Sequence, residues 1–235
     1  MSRFRAALAW LCGGHAVVAG CCWLLLQIPE ANAWMLAASL AVAVAAVWVA
    51  GVVEMTGVLA LGISGPMSAA LKTSIRRAGL IVFPLAVFAG AWFPAGAAAE
   101  WFARNAGQID AWIIVKIGWT RTAWIHGGLA WAFAFVRYGI GTSLAVALLG
   151  ALAADGLRGF ASQWVQSGFA WKRLLTISLA LLAGIWLPWQ LAYWRPASLP
   201  PTWVQPAFAA SKLFAWYVAG NLAWAVVLRT APRRP

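Results

Sequence analysis

The sequence predicts an all-α integral membrane protein: a single bundle of six transmembrane helices with short interfacial helices and both termini in the cytoplasm. Three observations predict it. Of 235 residues, 64% are hydrophobic, and 17 Lys/Arg plus 5 Asp/Glu are all the charge there is. A soluble domain carries about a quarter of its residues as charged ones to cover its surface. Six apolar stretches reach the ~20 residues that cross a hydrocarbon core. The basic residues gather on one side of those stretches, as the positive-inside rule requires. A soluble enzyme, a secreted disulfide scaffold, a disordered chain and a nucleic-acid binder are poor readings, despite a net charge of +12.

The first span covers residues 6–28, behind Arg3 and Arg5. Val18-Ala19-Gly20-Cys21 and Ala31-Asn32-Ala33 have the form of signal-peptide cleavage sites. The apolar run continues through Leu26, too long for a signal, so this helix is expected to be retained. Cys12, Cys21 and Cys22 lie inside it, odd in number and without spaced partners; they read as small buried hydrophobes, not as a disulfide or metal framework. The second span, residues 34–61, repeats Ala37, Ala41 and Ala45 at every fourth position, and the first has Ala16 and Gly20. Such small-residue faces are expected to meet inside a bundle.

Residues 66–77 read as an amphipathic interfacial helix. Ser64 suits a cap, Pro66 a first turn, and Met67, Leu71 and Ile75 recur beside the stripe of Lys72 and Arg76. The third span covers residues 80–99. Residues 112–127 are expected to lie at the outer interface or to be re-entrant, held by Trp112, Trp119 and Trp124 while Lys116 and Arg121 reach water. As a seventh span they would send Arg158, Lys172, Arg173 and the basic C-terminus outside. The fourth span covers residues 128–154. A second inner connection, residues 156–171, sets Phe160 and Trp164 four apart and leads into Lys172-Arg173, on anionic headgroups. The fifth span (174–194), a proline-stiffened outer loop (195–203) and the sixth span (208–228) complete the chain.

With the N-terminus inside, the inner segments hold Arg3, Arg5, Lys72, Arg76, Arg77, Arg158, Lys172, Arg173, Arg229, Arg233 and Arg234, 11 of the 17 basic residues. The outer ones hold Arg104, Lys116, Arg121 and Arg195. That asymmetry predicts a bacterial-type inner membrane with both termini cytoplasmic, and it explains most of the positive charge as an orientation signal. Ala89-Gly90-Ala91-Trp92-Phe93-Pro94 resembles Ala183-Gly184-Ile185-Trp186-Leu187-Pro188. Each follows a basic pair by about one span, so the spans can be read as parallel repeats or as a chance likeness in an Ala-, Gly- and Trp-rich chain.

Catalytic material is scarce. The sequence has no Walker loop, H-E-x-x-H, C-x-x-C or G-x-S-x-G, so no enzymatic activity is expected. No cofactor is expected beyond bound lipid. His15 and His126 do not share a depth, which argues against a bis-histidine haem, and His15 is expected to hydrogen-bond across a close helix contact. Ionisable residues inside spans are the default functional candidates. Arg137, deep in the fourth span, is the first of them, with Asp110 or Glu100 able to fold back towards it. Glu54 is the only acid within a span. It is placed near the inner boundary, against Lys72, Arg76 or Arg77, with a proton or substrate relay as the alternative.

The 18 tryptophans are the other anomaly. Trp92, Trp112, Trp119, Trp124, Trp186, Trp189 and Trp203 all project to the outer half, either as a thick aromatic belt or as a surface that grips a lipid, a pigment or another membrane subunit. The function this favours is a non-catalytic membrane subunit or scaffold whose partners are the bilayer and other membrane proteins, with no nucleic acid. The alternatives are a small transporter with a site near Arg137 and a subunit that holds a lipid-like cofactor such as a quinone.

Overall fold

A computed structural model of the chain describes residues 2–29, 31–62, 66–194 and 203–231, and its regular elements are all helices among those residues. Six helical stretches are long and apolar enough to cross a membrane: Arg3–Gln27, Ala33–Gly62, Met67–Arg104, Ala123–Ala161, Trp171–Gln190 and Val204–Arg229. Helices satisfy every backbone group within the segment, which an apolar solvent demands. The loop at residues 195–202, Ser64, Glu30, Arg233 and Arg234 lie outside the described residues.

The first stretch is α1 (Ser2–Gln27) and the second is α2 (Ala33–Gly62). α3 (Met67–Arg77) runs through a 3-10 turn (Ala78–Ile81) straight into α4 (Val82–Arg104), so the expected interfacial helix and third span form one rod. Then come α5 (Ala106–Ile117) and α6 (Ala123–Ala134). A π-helical turn (Phe135–Ile140) connects α6 to α7 (Gly141–Asp155). A 3-10 segment (Gly156–Ala161) and α8 (Trp164–Gly168) lead to α9 (Trp171–Leu181). A second π-helical turn (Leu182–Trp186), α10 (Leu187–Tyr193) and α11 (Val204–Arg229) finish the bundle. Pro188 has no N–H for the Gly184 carbonyl, which disfavours a regular α-turn where the second π-helical turn stands.

Residues 112–127, expected to be one interfacial piece, are divided. α5 ends at Gly118, whose φ of 76° is the left-handed conformation glycine adopts freely, and α6 starts the fourth membrane-length stretch at Ala123. The two copies of the Ala-Gly-x-Trp-x-Pro pattern also differ. Ala89–Pro94 is regular helix inside α4, whereas Ala183–Pro188 spans the π-helical turn and packs Gly184 against Ala223 of α11.

The core lies towards the end that carries α3 and α8. Leu11, Val53, Met55, Val58, Val146, Leu149, Ile177, Val227 and Leu228 are buried together there. Arg77 donates to the Ala153 carbonyl at 2.6 Å and so ties α3 to the last turn of α7. Phe160 meets Phe83 edge to face at 4.9 Å, fixing the 3-10 segment on α4. Arg173, expected on the headgroups, instead turns inward: it is 6% exposed and donates to Ser167 Oγ at 3.0 Å.

The small-residue faces read from the sequence do not meet. Ala37, Ala41 and Ala45 are exposed, as are Ala16 and Gly20. α1 and α2 touch elsewhere, at Leu11 and Gly14 on α1 and at Val53 and Gly57 on α2, while Gly51 of α2 packs on Ala78. In an alanine-rich helix every face repeats small residues at four-residue spacing, so the pattern names no particular face.

Candidate functional site

Three helices bring polar side chains to one point inside the bundle. On α11, Tyr217, Asn221 and Trp224 fall four and three residues apart and so share a stripe. His15 on α1 and Glu54 on α2 face that stripe. Glu54 Oε1 lies 2.8 Å from His15 Nε2, and Trp224 Nε1 donates to Glu54 Oε2 at 2.7 Å. Asn221 Oδ1 lies 2.7 Å from His15 Nδ1. Tyr217 donates its hydroxyl proton to the Cys12 carbonyl, which tethers α11 to α1 one turn away.

The connectivity of this network fixes the hydrogen on one ring nitrogen of His15. Asn221 Nδ2 donates to the Tyr217 carbonyl at 2.9 Å, so its amide oxygen is the atom that faces His15. His15 Nδ1 must therefore carry a hydrogen. One further proton sits between Nε2 and Glu54 Oε1, and with it the pair is neutral overall, either as imidazolium and carboxylate or as imidazole and carboxylic acid. A neutral pair is what an apolar solvent tolerates.

The cluster lies in the wall of a cavity of about 830 Å³ beside α11. Leu181, Ile185, Leu213, Phe214 and Trp216 give it apolar walls, and His15 and Glu54 retain 26% and 15% side-chain exposure. A second cavity of about 790 Å³ lies on the other side of the fifth membrane-length stretch, lined by Trp131, Phe135, Tyr138, Ser178, Trp186 and Trp189. Leu181 and Ile185 border both.

The chain matches no known protein family, no characterised protein and no solved structure. The chemistry of its own residues is what identifies a site.

Glu54 does not meet Lys72, Arg76 or Arg77; its partners are His15 and Trp224. α2 runs 30 residues, well beyond what crossing requires, so the position of Glu54 along it does not fix its level relative to α1 and α11. His15 does bond across close helix contacts, to two partners. Asn221, Tyr217 and Trp224 were not singled out from the sequence, although an amide midway along an apolar helix with ring donors on the same stripe was a usable signal.

Arg137 belongs to a separate arrangement and borders neither cavity. Its Nε donates to the Trp92 carbonyl at 3.2 Å, and its guanidinium carbon stands 4.8 Å from the centroid of the Trp92 ring. Gly96 makes room for it, since a Cβ there would lie 2.0 Å from Nη2. Neither acid expected beside Arg137 reaches it. Asp110 bonds His126 at 2.7 Å, and that hydrogen bond holds its carboxyl below the usual carboxylate range. Glu100 faces Arg104 at 3.6 Å on an exposed turn.

The seven tryptophans expected on the outer side make several separate contacts. Trp92 packs on Arg137 and Tyr138. Trp186 and Trp189 line the second cavity, and Trp189 meets Trp216 of the first at 5.4 Å. Trp119 and Trp124 pair at 5.6 Å, and these two, Trp112 and Trp203 are exposed. Lys212 lies against the Phe208 ring, 4.7 Å from its centroid.

Proposed function

We propose that this is an integral protein of a bacterial-type inner membrane, with both termini cytoplasmic, that takes an amphiphilic molecule out of the bilayer and holds it in the cavity over His15 and Glu54. One observation carries the reading: a cavity with apolar walls has in its wall a hydrogen-bonded His15–Glu54 pair from α1 and α2, held by Asn221 and Trp224 of α11. Such a volume suits a ligand with a chain or ring system and one polar group. The walls favour the apolar body, and the pair fixes the polar end. A buried polar network with exposed acceptor capacity is otherwise an expensive feature in lipid.

This reading favours the ligand-holding alternative over transport centred on Arg137, because Arg137 is engaged by Trp92 and Gly96 away from both cavities. The subunit reading keeps its support from Trp112, Trp119, Trp124 and Trp203, whose exposed rings suit contact with lipid or a second membrane protein.

A photoactivatable long-chain alcohol, illuminated with the purified protein in mild detergent, is expected to label the lining of this cavity, at Phe214, Trp216 or Tyr217. Labelling spread evenly over lipid-facing positions would sink the reading. The orientation is tested separately in a cysteine-free background. Thr73→Cys is expected to react with a membrane-impermeant maleimide only after spheroplasts are opened, and Arg104→Cys in intact ones. The reverse order would invert the topology.

A further inference from the structure

The chemistry left unsatisfied in the first cavity narrows its occupant. Both nitrogens of His15 are engaged. Glu54 Oε2 accepts from Trp224 and keeps a lone pair, and Oε1 shares a proton with His15, so the carboxyl group is the strongest acceptor left on the wall once that proton leaves. Phe214, Trp216, Tyr217 and Trp224 add aromatic rings to the lining, and among the described residues no Lys or Arg lines it. An anion would meet Glu54 with nothing to compensate it. A positively charged group would gain both the carboxylate and ring faces in a medium of low dielectric, where cation–π contacts are at their strongest.

Charge conservation then links ligand to proton. The pair holds one shared proton and is neutral. A cation added to it would leave a net positive charge within the membrane, which is unfavourable. The titratable groups around the pair are few. Tyr217 lines the same cavity, with its hydroxyl on the Cys12 carbonyl, and Cys12 sits nearly one turn before His15. Both are neutral when protonated, so the His15–Glu54 proton is the one that can leave.

Resting on the amphiphile-site reading, we infer that the occupant is a lipophilic organic cation, which enters the cavity in exchange for the proton shared by His15 and Glu54. The step balances: cation plus protonated pair gives the cation bound to the Glu54 carboxylate, a neutral His15 and one proton released to water. No covalent bond other than N–H or O–H changes. Loss of the proton also removes the hydrogen bond between Nε2 and Oε1, freeing that oxygen to turn towards the cation. His15 keeps its Nδ1–H on Asn221 throughout, so the ring stays in place.

The test uses tetraphenylphosphonium as the probe and tetraphenylborate, nearly the same size and opposite in charge, as the control. Titration calorimetry of the purified protein in two buffers of different ionisation enthalpy reads affinity and protons together. Tetraphenylphosphonium is expected to bind with release of about one proton, its affinity rising up to about tenfold per pH unit while the pair remains protonated. Glu54→Gln is expected to weaken it by about tenfold or more. If that variant fails to fold, Leu213→Trp, which narrows the cavity without touching the network, is expected to weaken it too. Cation binding without proton release, or equal affinity for tetraphenylborate, would overturn the inference. Labelling of the cavity by the photoactivatable alcohol that tetraphenylphosphonium fails to displace would overturn the inference and leave the amphiphile site standing. Absence of both would overturn the two together.

Discussion

Glu54→Leu is expected to lower the stability of the detergent-solubilised protein by about 3 kcal/mol, His15→Leu by a comparable amount, and the double variant by clearly less than the sum. The single changes strand a partner. Without Glu54, the Nε1–H of Trp224 loses its acceptor and Nε2 of His15 loses its partner in an apolar surrounding. Without His15, Glu54 keeps one donor, and the Asn221 carbonyl oxygen loses its own. Breaking a buried charged pair from one side costs about 3–5 kcal/mol, while replacing both members by apolar groups is often neutral. The partial exposure of both side chains moves the expectation to the low end of that range.

Magnitude decides between two pictures of the pair. Interhelical hydrogen bonds between neutral groups in membranes average only about 0.6 kcal/mol, because the unfolded helices also find partners in lipid. A coupling energy of that size, from equilibrium unfolding in mixed micelles followed by circular dichroism, would mean that His15 and Glu54 rest as imidazole and carboxylic acid. A coupling of about 2 kcal/mol or more would identify imidazolium and carboxylate. A vanishing coupling would remove the pair as an organising feature of the bundle.

The six long apolar helices were legible because lipid imposes a simple requirement of length, about 20 apolar residues per crossing. The site was not, because it depends on relative depth and rotation, which that requirement leaves open. Glu54 reads from the sequence as lying near the inner boundary, and the 30-residue length of α2 leaves its level relative to α1 open until His15 is seen beside it. Rotation failed for the alanines in a similar way. Ala37, Ala41 and Ala45 form a regular stripe, but it is Gly51 and Val53, with no such regularity, that meet neighbouring helices. Arg137 was recognised as unusual from its position alone. That its stabilisation comes from a ring and a carbonyl of α4, and not from an acid, follows only once Gly96 and Trp92 are seen beside it.

Gly51→Ala, the smallest of changes, is expected to cost about 3 kcal/mol, the upper end of what overpacking does. Gly96→Ala should cost less, even though its new methyl group meets a closer neighbour. At Gly96 the Cβ would lie 2.0 Å from Arg137 Nη2, the tip of a long side chain that can swing away. At Gly51 it would lie 2.3 Å from the carbonyl oxygen of Ala78, 2.9 Å from its carbon and 3.1 Å from its Cα, all backbone. Ala78 is fully buried and opens the 3-10 turn that joins α3 to α4, so relief requires the whole rod to move from α2. Gly13→Ala is the control: nothing lies within 4 Å of its Cβ, and replacing a helical glycine by alanine alone favours the helix by about 1 kcal/mol. The same unfolding measurement orders the three. A Gly51→Ala protein as stable as Gly13→Ala would show that the contact between α2 and the turn is loose, and with it the packing that holds Val53 and Glu54 against α1 and α11.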